Sequence, residues 1–233
     1  ASGRADLAAE TLDITLRAAI GESTRLGPLL PPVARWDAVT AEVHADGAMR
    51  TPRVSADIAV AGFGSETPQL LAALGPTPRL TLRAVAPDRI EALTLTGAAL
   101  RVEAEGQVGE TLDATLRAQV ADLAPLVPGL AGALQAELRA TGPRGDPSLA
   151  LTARGERVER QGQVLEAPEV TLSVATPLTA PRAEGRASAV YAGLPVSLDL
   201  HGVPEGERLR IERLVAGFGP ARLQAQGLLD PNA

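Results

Sequence analysis

Two histidines, His44 and His201, are the side chains of this 233-residue chain best suited to bind a metal or move a proton. Each sits among carboxylates, in Glu42-Val43-His44-Ala45-Asp46 and in Asp199-Leu200-His201. On neighbouring strands, such imidazoles and carboxylates could ligate a metal ion. In both segments, however, the histidine shares the polar side of an alternating run with its acidic neighbours, which is the pattern of solvated surface residues. Glu103 and Glu105 form a carboxylate pair of the kind that cleaves glycosidic bonds, but sugar sites stack rings on Trp or Tyr, and the chain offers only Trp36 and Tyr191. Cysteine is absent and no Gly-Xaa-Ser-Xaa-Gly elbow occurs, so thiol nucleophiles and a serine elbow are excluded. The Gly-Phe-Gly segments at 62–64 and 217–219 lack the spacing and the following helix of a phosphate loop, and read as tight turns or bulges. The expectation is a protein that is not an enzyme and needs no metal or cofactor.

The elements that would carry any chemistry are repetitive. Residues 10–18 read ETLDITLRA and residues 110–118 read ETLDATLRA. Both copies lead into a leucine and proline segment, Leu26-Gly27-Pro28-Leu29-Leu30-Pro31 and Leu123-Ala124-Pro125-Leu126-Val127-Pro128. Another alternating run ending at Gly47 or Gly142 follows, and then Pro52 or Pro147 opens the next. The internal repeat therefore covers 10–60 and 110–155. VAGFG occurs twice, at 60–64 and 215–219, and TLRA recurs at 81–84. Because these spacings differ, the unit is a strand or hairpin with variable loops, and 1–233 reads as one continuous repetitive β segment.

Nearly every run has period two, apolar on one side and polar on the other. The apolar set begins with Leu12, Ile14, Leu16, Val43 and Ile58, and continues through Leu80, Leu82, Leu93, Leu95, Leu100 and Val102. In the second half it comprises Leu112, Leu116, Leu134, Leu138, Leu149, Leu151, Leu172, Val174, Val196, Leu198, Leu200, Leu209, Ile211 and Leu223. Clean alternation with Gly, Pro and Asp turns argues for antiparallel pairing with one solvated face. Three short helical turns are candidates: Thr24 to Val33, Gln69 to Leu74 with Gly75 and Pro76 as stops, and Asp122 to Leu130 with Asp122 as N-cap. About fifteen strands at ~4.8 Å spacing make a sheet about 70 Å long, which must curl or fold over to cover a wholly apolar face. Hydrophobic residues make up 45% of the chain but aromatics only 2%. An interior lined by Leu, Val and Ala could enclose a hollow fit for hydrocarbon, or the two leucine faces could meet as a collapsed sandwich.

Composition narrows the partners. Every basic residue is arginine, a high-GC coding bias, and the net charge is −6 with both signs interspersed. Basic residues do not cluster with aromatics, which argues against nucleic acid. No apolar stretch approaches the roughly 20 residues of a membrane-spanning helix. The chain begins at Ala1 and ends at Asp230-Pro231-Asn232-Ala233. It reads as a piece of a longer protein, any anchor or targeting signal lying outside it.

The segment Asp122-Leu123-Ala124-Pro125-Leu126, the strand ending in Gly142, Pro147 and the next alternating strand resemble the repeats of the TamB family in the AsmA-like superfamily. The closing stretch from VAGFG into Ala221-Arg222-Leu223-Gln224-Ala225-Gln226-Gly227 is similar to that family's strand and glycine cadence. The resemblance implies a β-taco, an all-β, long, curled, mostly antiparallel sheet forming a U-shaped apolar groove. It further implies a periplasmic location in a Gram-negative bacterium, anchored in the inner membrane by residues outside this fragment. The implied partners are phospholipid acyl chains in transit between the two membranes and an outer-membrane barrel protein of the TamA type, with a role in outer-membrane protein assembly. The alternative is a β-solenoid or sandwich scaffold, or an adhesin-type protein-binding module, with a filled core and no lipid.

Overall fold

The computed structural model describes residues 2–23, 34–175, 182–205 and 208–229, with side chains at all of these except 34, 204, 208, 209 and 229. Strands hold 71% of the described residues and helix 4%, as the period-two pattern requires. Among the described residues, seventeen strands pair antiparallel into one sheet. The chain divides into two compact units.

Unit 1 comprises residues 1–109, 118–120 and 125–128. It contains β1 (Ser2–Asp6), β2 (Thr11–Ile20), β3 (Ala34–Arg35), β4 (Ala38–Ala48), β5 (Arg53–Ala61), β6 (Gly64–Ser65), α1 (Pro68–Leu74), β7 (Arg79–Val85), β8 (Arg89–Thr96) and β9 (Leu100–Val108). The order is a meander, β1-β2-β4-β5-β7-β8-β9, each strand pairing with the next. β3 and β6 pair separately.

β10 (Thr111–Val120) carries the second copy of the opening motif. Unit 2 takes in 110–117, 121–124 and 129–233. Its further strands are β11 (Leu130–Ala131), β12 (Leu134–Pro143), β13 (Ser148–Arg154), β14 (Arg157–Arg160), β15 (Gln163–Ala175), β16 (Arg182–Tyr191), β17 (Leu194–Glu205), β18 (Arg208–Phe218) and β19 (Ala221–Leu229). The order runs β12-β13-β15-β16-β17-β18-β19, with β11 and β14 extending the edge of β15. Two-residue turns at Gln161-Gly162 and Ala192-Gly193, all four residues with φ between 48° and 80°, match the right-handed twist of the strands they join.

Three strands carry β-bulges that keep the apolar residues on one face. In β8 the sequence spacing slips from Ile90 to Leu93, in β15 from Leu165 to Val170, and in β18 from Ile211 to Leu214. At each slip the register shifts by the extra residue. Without the bulge, everything beyond it would point to the opposite face.

Of the three candidate helical turns, one is a helix. α1 starts with Pro68 in the first turn, where no backbone donor is needed. It ends at Gly75, whose φ of 66° lets its amide bond Leu71 O at 2.7 Å. The stretch from Asp122 to Leu130 forms turns instead. Pro125 and Pro128 remove amide donors, and Asp122 Oδ1 accepts from the amide of Ala124 at 3.0 Å, closing an Asx turn where a helix would have begun. Thr24 to Val33 lies outside the described residues.

Candidate functional site

The Leu, Val and Ala alternation within each unit becomes aligned rows across the strands, because directly opposed residues in an antiparallel pair project from the same face. In unit 1 one row runs Leu16, Val43, Ala56, Leu82, Leu93, Ala104. The adjacent row runs Ala18, Ala41, Ile58, Leu80, Leu95, Val102. Ile14 continues through Ala45, Val54, Ala84 and Ile90, while Leu12 faces Gly47. Leu100, two residues before Val102, shares its face.

Unit 2 repeats the arrangement. One row is Ala136, Ala153, Val170, Ala187, Leu198, Ala216, Leu223, and the next is Leu138, Leu151, Leu172, Gly185, Leu200, Leu214, Ala225. Leu149 and Val174 lie in a third row that reaches Ile211, and Val196 opposes Phe218. Leu134 is two residues before Ala136. On β10, Leu112 and Leu116 alternate with Asp113 and Arg117, which bond Arg139 and Glu137 of β12 on the polar side. Leu209 faces Leu229 in the backbone register, and its side chain lies outside those described.

These faces are not covered as a core would be. Not one of the leucines, isoleucines and valines of this apolar set with a described side chain is buried, and no described side chain is fully buried. Leu16 is 48% exposed and Leu198 41%. The buried described residues are Ser23, Ala73, Gly75, Pro78, Leu123, Gly202 and Val215; the three at 73–78 sit at and just after the end of α1. The collapsed sandwich would have buried the leucines themselves. Val215 was not foreseen as a packing residue, because it stands on the polar side opposite Asp199 and Gln224.

The opposite face carries a cross-strand charge ladder. Arg17 bonds Glu42 at 2.8 Å and Arg79 bonds Asp57 at 2.6 Å in unit 1. In unit 2, Arg154 bonds Glu169 at 2.8 Å and Arg186 bonds Asp199 at 2.7 Å. Hydrogen bonds to Glu42, Asp57 and Asp199, reinforced by opposite charge, raise the pKa of Arg17, Arg79 and Arg186. The bond from Arg186 likewise lowers that of Asp199. Exposed pairs of this kind add little stability; their effect is to discourage register slips that would oppose like charges.

Each histidine lies on this polar face. The Nδ1 of His44 is 3.1 Å from Thr15 Oγ1, and its ring comes within 3.7 Å of Asp46 and 3.8 Å of Asp13. His201 Nδ1 is 3.7 Å from Glu184. Among the described residues no group of three or more His, Asp or Glu side chains could hold a metal ion. Glu103 is held by Arg101 at 2.7 Å. No described helix is long and apolar enough to cross a membrane. Comparison with protein-family models, curated proteins and solved structures finds no match to this chain.

Proposed function

We propose that this chain is a segment of a hydrophobic conduit that binds lipid acyl chains and carries phospholipid between the inner and outer membranes of a Gram-negative bacterium. The observation that carries this reading is the pair of apolar faces, one in each unit, whose leucine rows are in register across six or more strands and yet unburied. Monomeric soluble proteins rarely leave contiguous apolar surface of this kind without a ligand or partner to cover it. Each acyl CH₂ leaving water gains about 0.8 kcal/mol, and successive aliphatic rows offer nearly equal wells, so a chain can slide with small barriers. The polar headgroup stays toward water. No catalytic step is involved.

The likeness to TamB repeats extends the reading to a periplasmic location, an anchor outside this segment, a TamA-type barrel partner and a part in outer-membrane protein assembly. A protein-binding scaffold or adhesin module requires a filled core, and the exposure of the leucine rows favours lipid over that alternative. Purification without detergent, followed by organic extraction and thin-layer chromatography, tests it. Co-purifying phospholipid is expected. An apoprotein that also takes up no phospholipid from vesicles would refute it.

A further inference from the structure

We propose that the polar face of unit 1 holds a phosphate-binding site, separate from the apolar face, formed by Arg83, Ser55 and His44. A depression of about 450 Å³ lies over β4, β5, β7 and β8, and these three residues line it together with Thr81 and Thr94. That volume falls within the range of small-molecule sites. The register explains why it forms there. His44 opposes Ser55, Ser55 opposes Arg83, and Arg83 opposes Ala92, so the arginine stands between two short side chains.

The electrostatics select the ligand. The two carboxylates of the depression are already engaged: Glu42 by Arg17 and Asp57 by Arg79. Arg101 is likewise taken by Glu103. Arg83, in contrast, makes no ion pair or hydrogen bond among the described residues. One row of this face is therefore charge-compensated, while the next presents a free guanidinium, a hydroxyl and an imidazole over Cα positions spanning about 10 Å. A guanidinium fork binds a tetrahedral oxyanion through paired N–H donors, the Ser55 hydroxyl can donate to a remaining oxygen, and the His44 ring can add a donor through Nε2, its Nδ1 being hydrogen-bonded to Thr15 Oγ1 at 3.1 Å. Asp13 and Asp46 flank the His44 ring at 3.8 and 3.7 Å, so the anion's charge is met by Arg83 and the imidazole serves as a hydrogen-bond donor. The group recognised is phosphate, either free or as the headgroup of a lipid.

Titration of the full chain with inorganic phosphate, followed by NMR of arginine Nε–H resonances, tests this. A saturable shift confined to Arg83 is expected, measurably weaker in Ser55→Ala and unchanged in Arg182→Gln of unit 2, while phosphate affinity followed by calorimetry falls at least ~10-fold in Arg83→Gln. Phosphatidylcholine vesicles with and without phosphatidic acid form the second arm. Response to inorganic phosphate assigns a soluble ligand; response only to phosphatidic acid assigns a headgroup. No Arg83 shift in either arm, an equal shift with chloride, or the same affinity in Arg83→Gln overturns the site and leaves the apolar-face reading untouched.

Discussion

Leu151 stands directly opposite Leu172 across β13 and β15, flanked in the same row by Leu138 and Leu200, and none of the four is buried. Four aligned aliphatic side chains in a folded sheet would ordinarily be the centre of a core. Here they are surface.

Charge on this surface should therefore be tolerated. Leu198→Arg and, separately, Leu116→Arg are expected to move Tm by no more than about 4 °C, because an exposed position lets the guanidinium reach water. Both should reduce phospholipid retention. Unfolding or aggregation of both variants, the outcome for a charge forced into a packed core, would contradict the exposed-face account.

The ranking of truncations should invert the usual order. Val215 is 8% exposed and Leu223 is 64% exposed. Val215→Ala is expected to cost about 1–2 kcal/mol and Leu223→Ala under about 0.5 kcal/mol in chemical denaturation, although leucine loses more carbon. A larger loss at Leu223 would mean that the apolar face is packed in solution.

The bond from Arg186 holds the Asp199 carboxyl below its ordinary value of 3.8. A depressed folded-state pKa contributes stability that is complete above about pH 4 and vanishes as pH falls through the lower folded-state value. Both groups are exposed, so the stability effect is small and screened by salt. The direct readout is the Asp199 titration midpoint by NMR, which should rise toward the ordinary value in Arg186→Gln. An unchanged midpoint would show that the pair does not persist.

Gly62 has φ of 65°, and a Cβ there would collide with the side chain of Asp37. Gly62→Ala is expected to cost upward of about 1 kcal/mol in denaturant unfolding. Gly21 has open space around its missing Cβ and an ordinary φ, so Gly21→Ala should be neutral or slightly stabilising. Equal effects would contradict the turn geometry at Gly62.

The face assignment was legible in the sequence wherever alternation was unbroken, as at Leu12, Ile14 and Leu16 or Leu80 and Leu82. It was legible because period-two spacing maps directly onto sheet faces. Four features escaped it. Val170, Leu165, Leu194 and Phe218 belong to the apolar face, but the bulge in β15 breaks parity between Leu165 and Val170, and the other two sit where strands meet turns. The slip was visible as two apolar residues an odd number of positions apart. β16 was missed as a strand because it contributes Ala183, Gly185, Ala187 and Ala189 to the face, side chains too small to register as a hydrophobic run. The Asp122 segment looked like a capped helix, since an aspartate that closes an Asx turn carries the same local signal as an N-cap. The polar depression at Arg83 was invisible, because it depends on which strands are neighbours and which arginines are already paired.

The central claim is that lipid acyl chains lie on one face of the sheet and not the other. Leu82 and Thr81 are adjacent in β7 and project from opposite faces. A photoreactive phenylalanine placed at each position in turn, illuminated with phospholipid vesicles and analysed by mass spectrometry, should give an adduct to a lipid acyl chain at 82 and none to an acyl chain at 81. Equal adducts at both positions, or none at 82, would contradict it.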